Sequence, residues 1–233
     1  MINAKDSQNT FYILDKKNDV PIVFIHGVGL NHKIWEPQIN VFENTFLAYD
    51  ILGHGKTPLN KEHLSFDDFS NQLINLIDEL NIRRIHLVGF SIGSLIARNF
   101  ASKYSDRLES LILLCSIFKR TEKQQQIVKD RFELAKKSKS LSKQALKRWF
   151  TDEYLEKNPN TYKKISSILE QNSMENFLKI YELFVNHKDD EQFEKIKTKT
   201  LIMTGEGDIG STPEMSINLS KVIKNSNVKI ISK

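Results

Sequence analysis

Ser91 is the residue around which a reaction could be organised. It sits in Gly89-Phe90-Ser91-Ile92-Gly93, after Arg84-Ile85-His86-Leu87-Val88 and before Ser94-Leu95-Ile96-Ala97-Arg98-Asn99-Phe100. That order predicts strand, sharp turn, helix, with small residues letting the turn close and the hydroxyl pushed into the open at a helix N-terminus. A neutral serine hydroxyl is a poor nucleophile. It needs a base to take its proton, an acid to hold that base, and donors for the oxyanion that forms. The chemistry this pattern suggests is attack on an acyl carbon.

The donors can be sought where a strand ends in a glycine-rich turn. His26-Gly27-Val28-Gly29 follows Pro21-Ile22-Val23-Phe24-Ile25. The amide of Val28, together with that of Ile92, would form the oxyanion hole, with Gly29 as the alternative to Val28. Asp208, in Gly205-Glu206-Gly207-Asp208-Ile209-Gly210 after another apolar strand, is the candidate acid, and Glu206 is its competitor. The base is hard to find. His26 and His54 lie in glycine-rich turns, His86 lies inside a strand, His32 and His63 read as loop residues, and His187 precedes Asp208.

The elements that must position these residues alternate in the first half of the chain. Strands are predicted over 10–14, 20–26, 45–50, 84–88 and 108–114. A helix starts at Ser65, whose spacing to Asp68 suits a capping box, and another covers 92–104. This alternation predicts an α/β fold, a mostly parallel sheet with crossover helices. From 119 to 187 strand signals vanish and helical patterns take over, at 123–137, 142–150, 161–171 and 174–186, with Pro159 breaking the series. Trp149, Phe150, Phe177, Tyr181 and Phe184 are available there to line a pocket, although aromatics at helical spacing usually pack. A strand at 200–204, a helix from Thr212-Pro213 to about Ile223, and a last strand at 227–232 resume the alternation. The predicted organisation is a core of 1–118 and 188–233 interrupted by a helical cap of 119–187.

Composition narrows the function classes. The chain has 233 residues, 39% hydrophobic and 9% aromatic, enough for one large domain with a core. No apolar run reaches the roughly 18 residues of a membrane span, and the N-terminus lacks a signal-peptide pattern. The single cysteine, Cys115, reads as a buried thiol. These features fit a cytoplasmic protein without a membrane role. The net charge is +5. The segment from Lys119 to Lys188 carries +7 and the rest −2, a surplus that could steer anions or simply be solvated. No basic-aromatic motif or zinc spacing points to nucleic acid, and no metal or organic cofactor is called for.

With these residues in view, the chain resembles the α/β-hydrolase superfamily, and within it the small esterase, lactonase and C–C hydrolase group with a helical cap. The resemblance rests on His26-Gly27-Val28-Gly29, Asp50-Ile51-Leu52-Gly53-His54-Gly55, Gly89-Phe90-Ser91-Ile92-Gly93 and Gly205-Glu206-Gly207-Asp208. The run Asp208-Ile209-Gly210-Ser211-Thr212-Pro213 is similar to the acid loop of 3-oxoadipate enol-lactonase-like members. Serine at 91 disfavours the haloalkane dehalogenases of the superfamily, which use aspartate there. Members with the acid after the earlier strand would place it where this chain has Cys115-Ser116. The resemblance implies a serine hydrolase acting on a small-molecule carboxylic ester or lactone, with Ser91 as nucleophile and Asp208 as acid. It also implies a catalytic histidine after the last strand. Here only Lys233 follows that strand, so the sequence is expected to stop short of its base and to catalyse poorly as written. C–C bond hydrolysis on the same residues, and a non-catalytic ligand-binding homologue, are the alternative expectations. The oligomeric state is left open.

Overall fold

The computed structural model describes residues 1–138, 140 and 142–232. Eight strands form one sheet: β1 (Ile2–Lys5), β2 (Phe11–Asp15), β3 (Ile22–Ile25), β4 (Phe46–Tyr49), β5 (Ile85–Phe90), β6 (Leu108–Leu114), β7 (Thr200–Gly205) and β8 (Ser226–Ile231). Their order is β1-β2-β4-β3-β5-β6-β7-β8. Strands β3 to β8 run parallel, while β1 and β2 join antiparallel at one edge. The turn after β2 therefore does not close a hairpin with β3, because β4 lies between them. The short strand β1 and two small helices were not anticipated from the sequence pattern.

Nine α-helices accompany the strands among the described residues: α1 (Glu36–Ile39), α2 (Phe66–Glu79), α3 (Ile92–Lys103), α4 (Glu122–Lys137), α5 (Ser142–Trp149), α6 (Asp152–Lys157), α7 (Pro159–Glu170), α8 (Met174–Val185) and α9 (Pro213–Val222). The period-two rule of a pleated strand divides the core into two layers. Val23 and Ile25 of β3 point to the layer built with Leu73, Leu76, Leu95, Phe100 and Leu219 from α2, α3 and α9. Phe24, between them, points the other way, to Trp35, Ile39, Phe46 and Val88. The expected capping box opens α2, with the Ser65 amide donating to Asp68 Oδ2 at 2.9 Å. Pro159 occupies the first turn of α7, where its fixed φ and missing N–H favour a helix start.

Helices α4 to α8 lie between β6 and β7 in the chain, and both ends of this helical segment converge on Arg98 of α3. Its guanidinium is fully buried. Nη2 donates to Asp189 Oδ1 and to Glu191 Oε2, each at 2.7 Å, and Nη1 donates to the Ile117 carbonyl at 2.7 Å. The Lys119 amide donates to Asp189 Oδ2 at 2.7 Å. The rings of Phe193 and Phe118 lie 5.0 and 5.8 Å from the guanidinium carbon. Burial alone would raise the Asp189 carboxyl, but its hydrogen bonds and the charge of Arg98 hold it well below the ordinary carboxylate range. Replacing Arg98 by Met leaves two carboxylates without their counter-ion. Arg98→Met is expected to cost about 3–5 kcal/mol of stability in urea unfolding; a loss under about 1 kcal/mol would show that the pair is not structural.

Candidate active site

Ser91 links β5 to α3 with φ 56° and ψ −120°, a conformation that side chains rarely adopt. Two glycines make the turn possible. A Cβ on Gly89 would stand 2.2 Å from the Gly93 carbonyl oxygen, and one on Gly93 would stand 2.5 Å from that of Ile25. The Ser91 amide donates to the Leu114 carbonyl at 2.9 Å, and its carbonyl accepts from the Ser94 amide at 2.9 Å and the Ser94 hydroxyl at 2.6 Å. The backbone of Ser91 is thus fixed from both sides. Its hydroxyl has no hydrogen-bond partner among the described residues, and it keeps contact with solvent.

The glycine-rich turn after β3 lies against this serine. A Cβ on Gly27 would stand 3.4 Å from the Ser91 Cβ and 3.2 Å from the Phe90 ring. Neither the Val28 amide nor the Ile92 amide donates to a described residue. Gly29 differs, because its amide donates to His54 Nε2 at 2.8 Å. The alternative donor is therefore occupied, and Val28 with Ile92 remains the available pair. The helical segment covers the turn: a Cβ on Gly29 would stand 2.8 Å from Leu169 Cδ2 and 3.1 Å from the Phe177 ring, and Asn172 donates to the Gly29 carbonyl at 2.7 Å.

Asp208 follows β7, on the same rim as Ser91. The two flank β6, two strand spacings or about 10 Å apart. Asp208 Oδ1 accepts from the amides of Gly210 and Ser211 at 2.8 and 2.9 Å, and the Thr204 hydroxyl lies 3.3 Å from Oδ2. Cys115 stands between the serine and the acid. Its backbone is at φ 50°, and the Thr204 hydroxyl lies 4.0 Å from its thiol sulfur. Burial and the Asp208 charge push that thiol up to about 12, so it stays protonated. Glu206 is exposed, and its amide serves the edge strand by donating to Ile231 at 2.8 Å.

The histidines are engaged elsewhere. His26 Nε2 accepts from the Ile51 amide at 3.1 Å while Nδ1 faces the Gly27 carbonyl at 2.8 Å. His32 Nδ1 lies 2.7 Å from Asp50 Oδ1, and Asp50 also accepts from the amides of His32 and Lys56 at 2.8 and 2.9 Å. His86 meets the Ser110 hydroxyl at 2.7 Å. His187 lies 3.3 Å from Asp189 in the Arg98 cluster, and His63 is exposed. Among the described residues none is hydrogen-bonded to Ser91 or Asp208. Of the aromatics expected near a pocket, Phe177 and Tyr181 are buried in a cluster that packs on Val28 and Phe90. Trp149 is 40% exposed, and Phe150 stacks on Tyr154.

Residues 20–233 match the family described as alpha/beta hydrolase fold. The chain belongs to that family. Among curated relatives it is similar to the (E)-2-((N-methylformamido)methylene)succinate hydrolase of Acinetobacter baylyi, 27% identical over 231 residues, spanning 97% of this chain and 86% of that protein. It is also similar to 3-oxoadipate enol-lactonase 2 of the same organism, 23% identical over 89% of this chain and 78% of that one. Among solved structures, the enol-lactonase from Burkholderia xenovorans LB400 superposes with a TM-score of 0.86 at 22% identity, covering 100% of this chain and 91% of its own.

Two features of this α/β hydrolase escaped the sequence reading. Arg98 falls in the helix predicted over 92–104 with no partner assigned, although an arginine among Leu95, Ile96, Ala97 and Phe100 calls for buried acids, and Asp189-Asp190-Glu191 is a run that could supply them. Cys115 reads in the sequence as a buried thiol, whereas the charge of Asp208 acts on it.

The strain at Ser91 can be measured. In an ordinary position alanine is more stable than glycine. At φ 56° the order should invert, with Ser91→Gly more stable than Ser91→Ala by about 1 kcal/mol. Equal or reversed urea midpoints would remove the strain from the argument. The buried imidazoles predict an acid sensitivity. Burial pulls His26 down to about 4 and His54 to about 3, from an ordinary 6.5. Above 6.5 both are neutral in the folded and the unfolded chain. Below it the unfolded chain takes up two protons that the folded chain refuses. Stability should fall steadily from pH 6.5 to about 4, by a few kcal/mol in all. A flat profile over that range in urea titrations would contradict it.

Proposed function

We propose that this chain is a serine hydrolase of carboxylic esters or lactones that works through an acyl-enzyme. The observation that carries the reading is the Ser91 hydroxyl on a strained turn, beside the amides of Val28 and Ile92, all three without a hydrogen-bond partner among the described residues. In this reading the substrate carbonyl oxygen sits between those amides. They stabilise the oxyanion more than the neutral carbonyl, so the barrier falls. Ser91 attacks the acyl carbon as a base takes its proton. The tetrahedral intermediate breaks the ester C–O bond and expels the alcohol (the opened ring hydroxyl of a lactone) with that proton. Water then cleaves the acyl ester to release the acid and restore the serine hydroxyl. Asp208, fixed by the amides of Gly210 and Ser211, serves to orient and charge-balance a base. Residues 119–187 act as a cap over a core of 1–118 and 188–233, and the substrate is a small molecule. The names of the two relatives, one a lactonase, favour hydrolytic chemistry of this kind.

None of the six histidines is assigned as the base, since each is engaged away from Asp208 or exposed. Turnover by these 233 residues is therefore expected to be slow, with the oxyanion amides and binding leaving roughly 10³–10⁴ over water. Nucleophilicity itself is tested without turnover. A fluorophosphonate probe followed by peptide mass spectrometry should label Ser91 ahead of every other serine, and Ser91→Ala should lose the adduct. Labelling spread over surface serines, or unchanged in Ser91→Ala, would end the hydrolase reading.

A further inference from the structure

A small polar cavity lies where the end of α7 meets the loops that follow β3 and β4. Its volume is about 70 Å³. Liquid water takes about 30 Å³ per molecule, so the space holds two waters or one small ion. Asn31, His32 and Lys33 form one wall, Asp50 and Lys56 a second, and Asn172 closes a third. None of the walls includes Ser91, Val28 or Ile92.

Two of these side chains are buried with hydrogen-bonding capacity unused. Asn31 is 5% exposed. Its Oδ1 accepts from the Lys33 amide at 3.0 Å, which identifies the other terminal atom as Nδ2, with two N–H bonds to give. Nδ2 donates to no described residue and is not sealed from the cavity its side chain lines. His32 is 7% exposed. Burial alone would raise the Asp50 carboxyl, but its bonds to His32 and the nearby imidazoles hold it below the ordinary carboxylate range. An ionised carboxylate only accepts, so His32 Nδ1 donates to Asp50 Oδ1 at 2.7 Å. Nε2 is the ring nitrogen left over, and it too is open and without a partner among the described residues.

The charges around this space favour an anion. Lys33 and Lys56 are exposed and make no ion pair among the described residues. The Lys56 ammonium stands 4.3 Å from the centre of the Phe11 ring, and the His32 ring lies 4.9 Å from the same centre, so both pack on one aromatic. Asp50 is the one carboxylate of the walls, and both its oxygens are spent. Oδ1 accepts from the amide and ring of His32, and Oδ2 accepts from the Lys56 amide at 2.9 Å. A ligand here therefore meets two ammonium groups, the N–H bonds of Asn31 and a ring nitrogen that either accepts or donates. Hydrogen phosphate matches them all. Its P–O⁻ oxygens accept charge-assisted bonds, and its P–OH can donate to Nε2. Sulfate and chloride offer acceptors only.

We propose that Asn31, His32, Lys33 and Lys56 form a binding site for inorganic phosphate where the helical segment meets the sheet layer. The site does not depend on the hydrolase reading. A bound phosphate ties the loop at 31–33 to the turn at Lys56 beneath the end of α7. There Asn172 donates to the Gly29 carbonyl at 2.7 Å and to the Ile168 carbonyl at 3.0 Å. The ion thereby steadies the glycine-rich turn after β3.

Calorimetric titration of the full chain with sodium phosphate at pH 8 should show one site with a Kd of about 1 mM or tighter. Sodium sulfate should bind at least about fivefold more weakly. In 20 mM phosphate the melting temperature should rise by about 3 °C above that in chloride. Sulfate at equal ionic strength controls for the general stabilisation such salts give by exclusion from the surface. Asn31→Asp keeps an oxygen to cap the Lys33 amide and replaces the donor by a negative charge, so it should abolish phosphate binding. Lys33→Gln, on an exposed side chain, should weaken it about tenfold. Circular dichroism identifies a variant that fails to fold; if Asn31→Asp does, the double change Lys33→Gln with Lys56→Gln decides. Absence of phosphate binding, or sulfate bound as tightly as phosphate, would overturn the proposal. So would variants that bind like the parent chain, because the ion would then sit elsewhere, for instance at the Val28 and Ile92 amides.

Discussion

Helix α3 meets the sheet more closely at its first turn than any side chain would permit. Gly93 lies against the carbonyl oxygens of Ile25 and His26, and Gly89 lies against Gly93 itself. This contact fixes three things together. It brings the start of the helix up to the ends of β3 and β5. It forces the connecting residue into the left-handed side of backbone space, so that the Ser91 side chain is thrown outward. It also sets the Ile92 amide beside the turn that carries the Val28 amide. A single methyl group at either glycine would push helix and strand apart, and the Ser91 hydroxyl and the Val28 and Ile92 amides would separate with them. The strain at Ser91 persists because the surroundings over-determine it, through bonds to Leu114 and Ser94.

The same helix carries the second constraint. About two turns after Ser91, Arg98 binds the carboxylates that follow the helical segment and the carbonyl that precedes it. Both ends of residues 119–187 are thus referenced to the helix that Ser91 precedes. The far side of the segment rests on the glycine-rich turn after β3 through Leu169, Phe177 and Asn172. A displacement of these helices would be felt at Gly29 and at Arg98 together. Charge burial explains why this anchor is rigid: the guanidinium cannot leave its two acids without leaving all three groups desolvated and unpaired.

What the sequence made legible was whatever depends on near neighbours in the chain. The alternation at Val23-Phe24-Ile25 marks a two-sided strand, and the structure sends those residues to opposite layers as that period requires. The turn around Ser91 was legible for the same reason, since its glycines lie two residues away on either side. Features set by distant partners were not. Arg98 finds its acids 91 and 93 residues later. The choice between Val28 and Gly29 as donor turned on His54, 25 residues away, which occupies the Gly29 amide. Strand β1 has little apolar character and is mostly exposed, so its stability comes from pairing with β2 and not from its own pattern. Pro159 reads as a breaker when the helix before it is in view, and as a helix start once α7 is known to follow.

Histidines show most clearly why residue type alone does not assign chemistry. An imidazole can serve as a base for Ser91 only if one nitrogen faces the hydroxyl while the other is held by the acid. His26 and His54 each use Nε2 to accept a backbone amide, and that bond, in a buried site, places the remaining proton on Nδ1 and keeps the ring neutral. Their task is to satisfy amides of two glycine-rich turns that carry no other partner. His32 beside Asp50 has the outward form of a base and its acid, at 2.7 Å. Yet Asp50 also closes the amides of His32 and Lys56, and a Cβ on Gly55 would stand 2.2 Å from its Oδ2, so this carboxylate is the knot of a turn. The pair lies at the end of β4, separated from β5 by β3. Asp208 has the opposite character. Two amides fix one of its oxygens, and among the described residues the other meets a long contact from the Thr204 hydroxyl. A carboxylate held on one side and lightly engaged on the other is suited to receive an N–H, and that asymmetry distinguishes it from the acids that merely tie the fold.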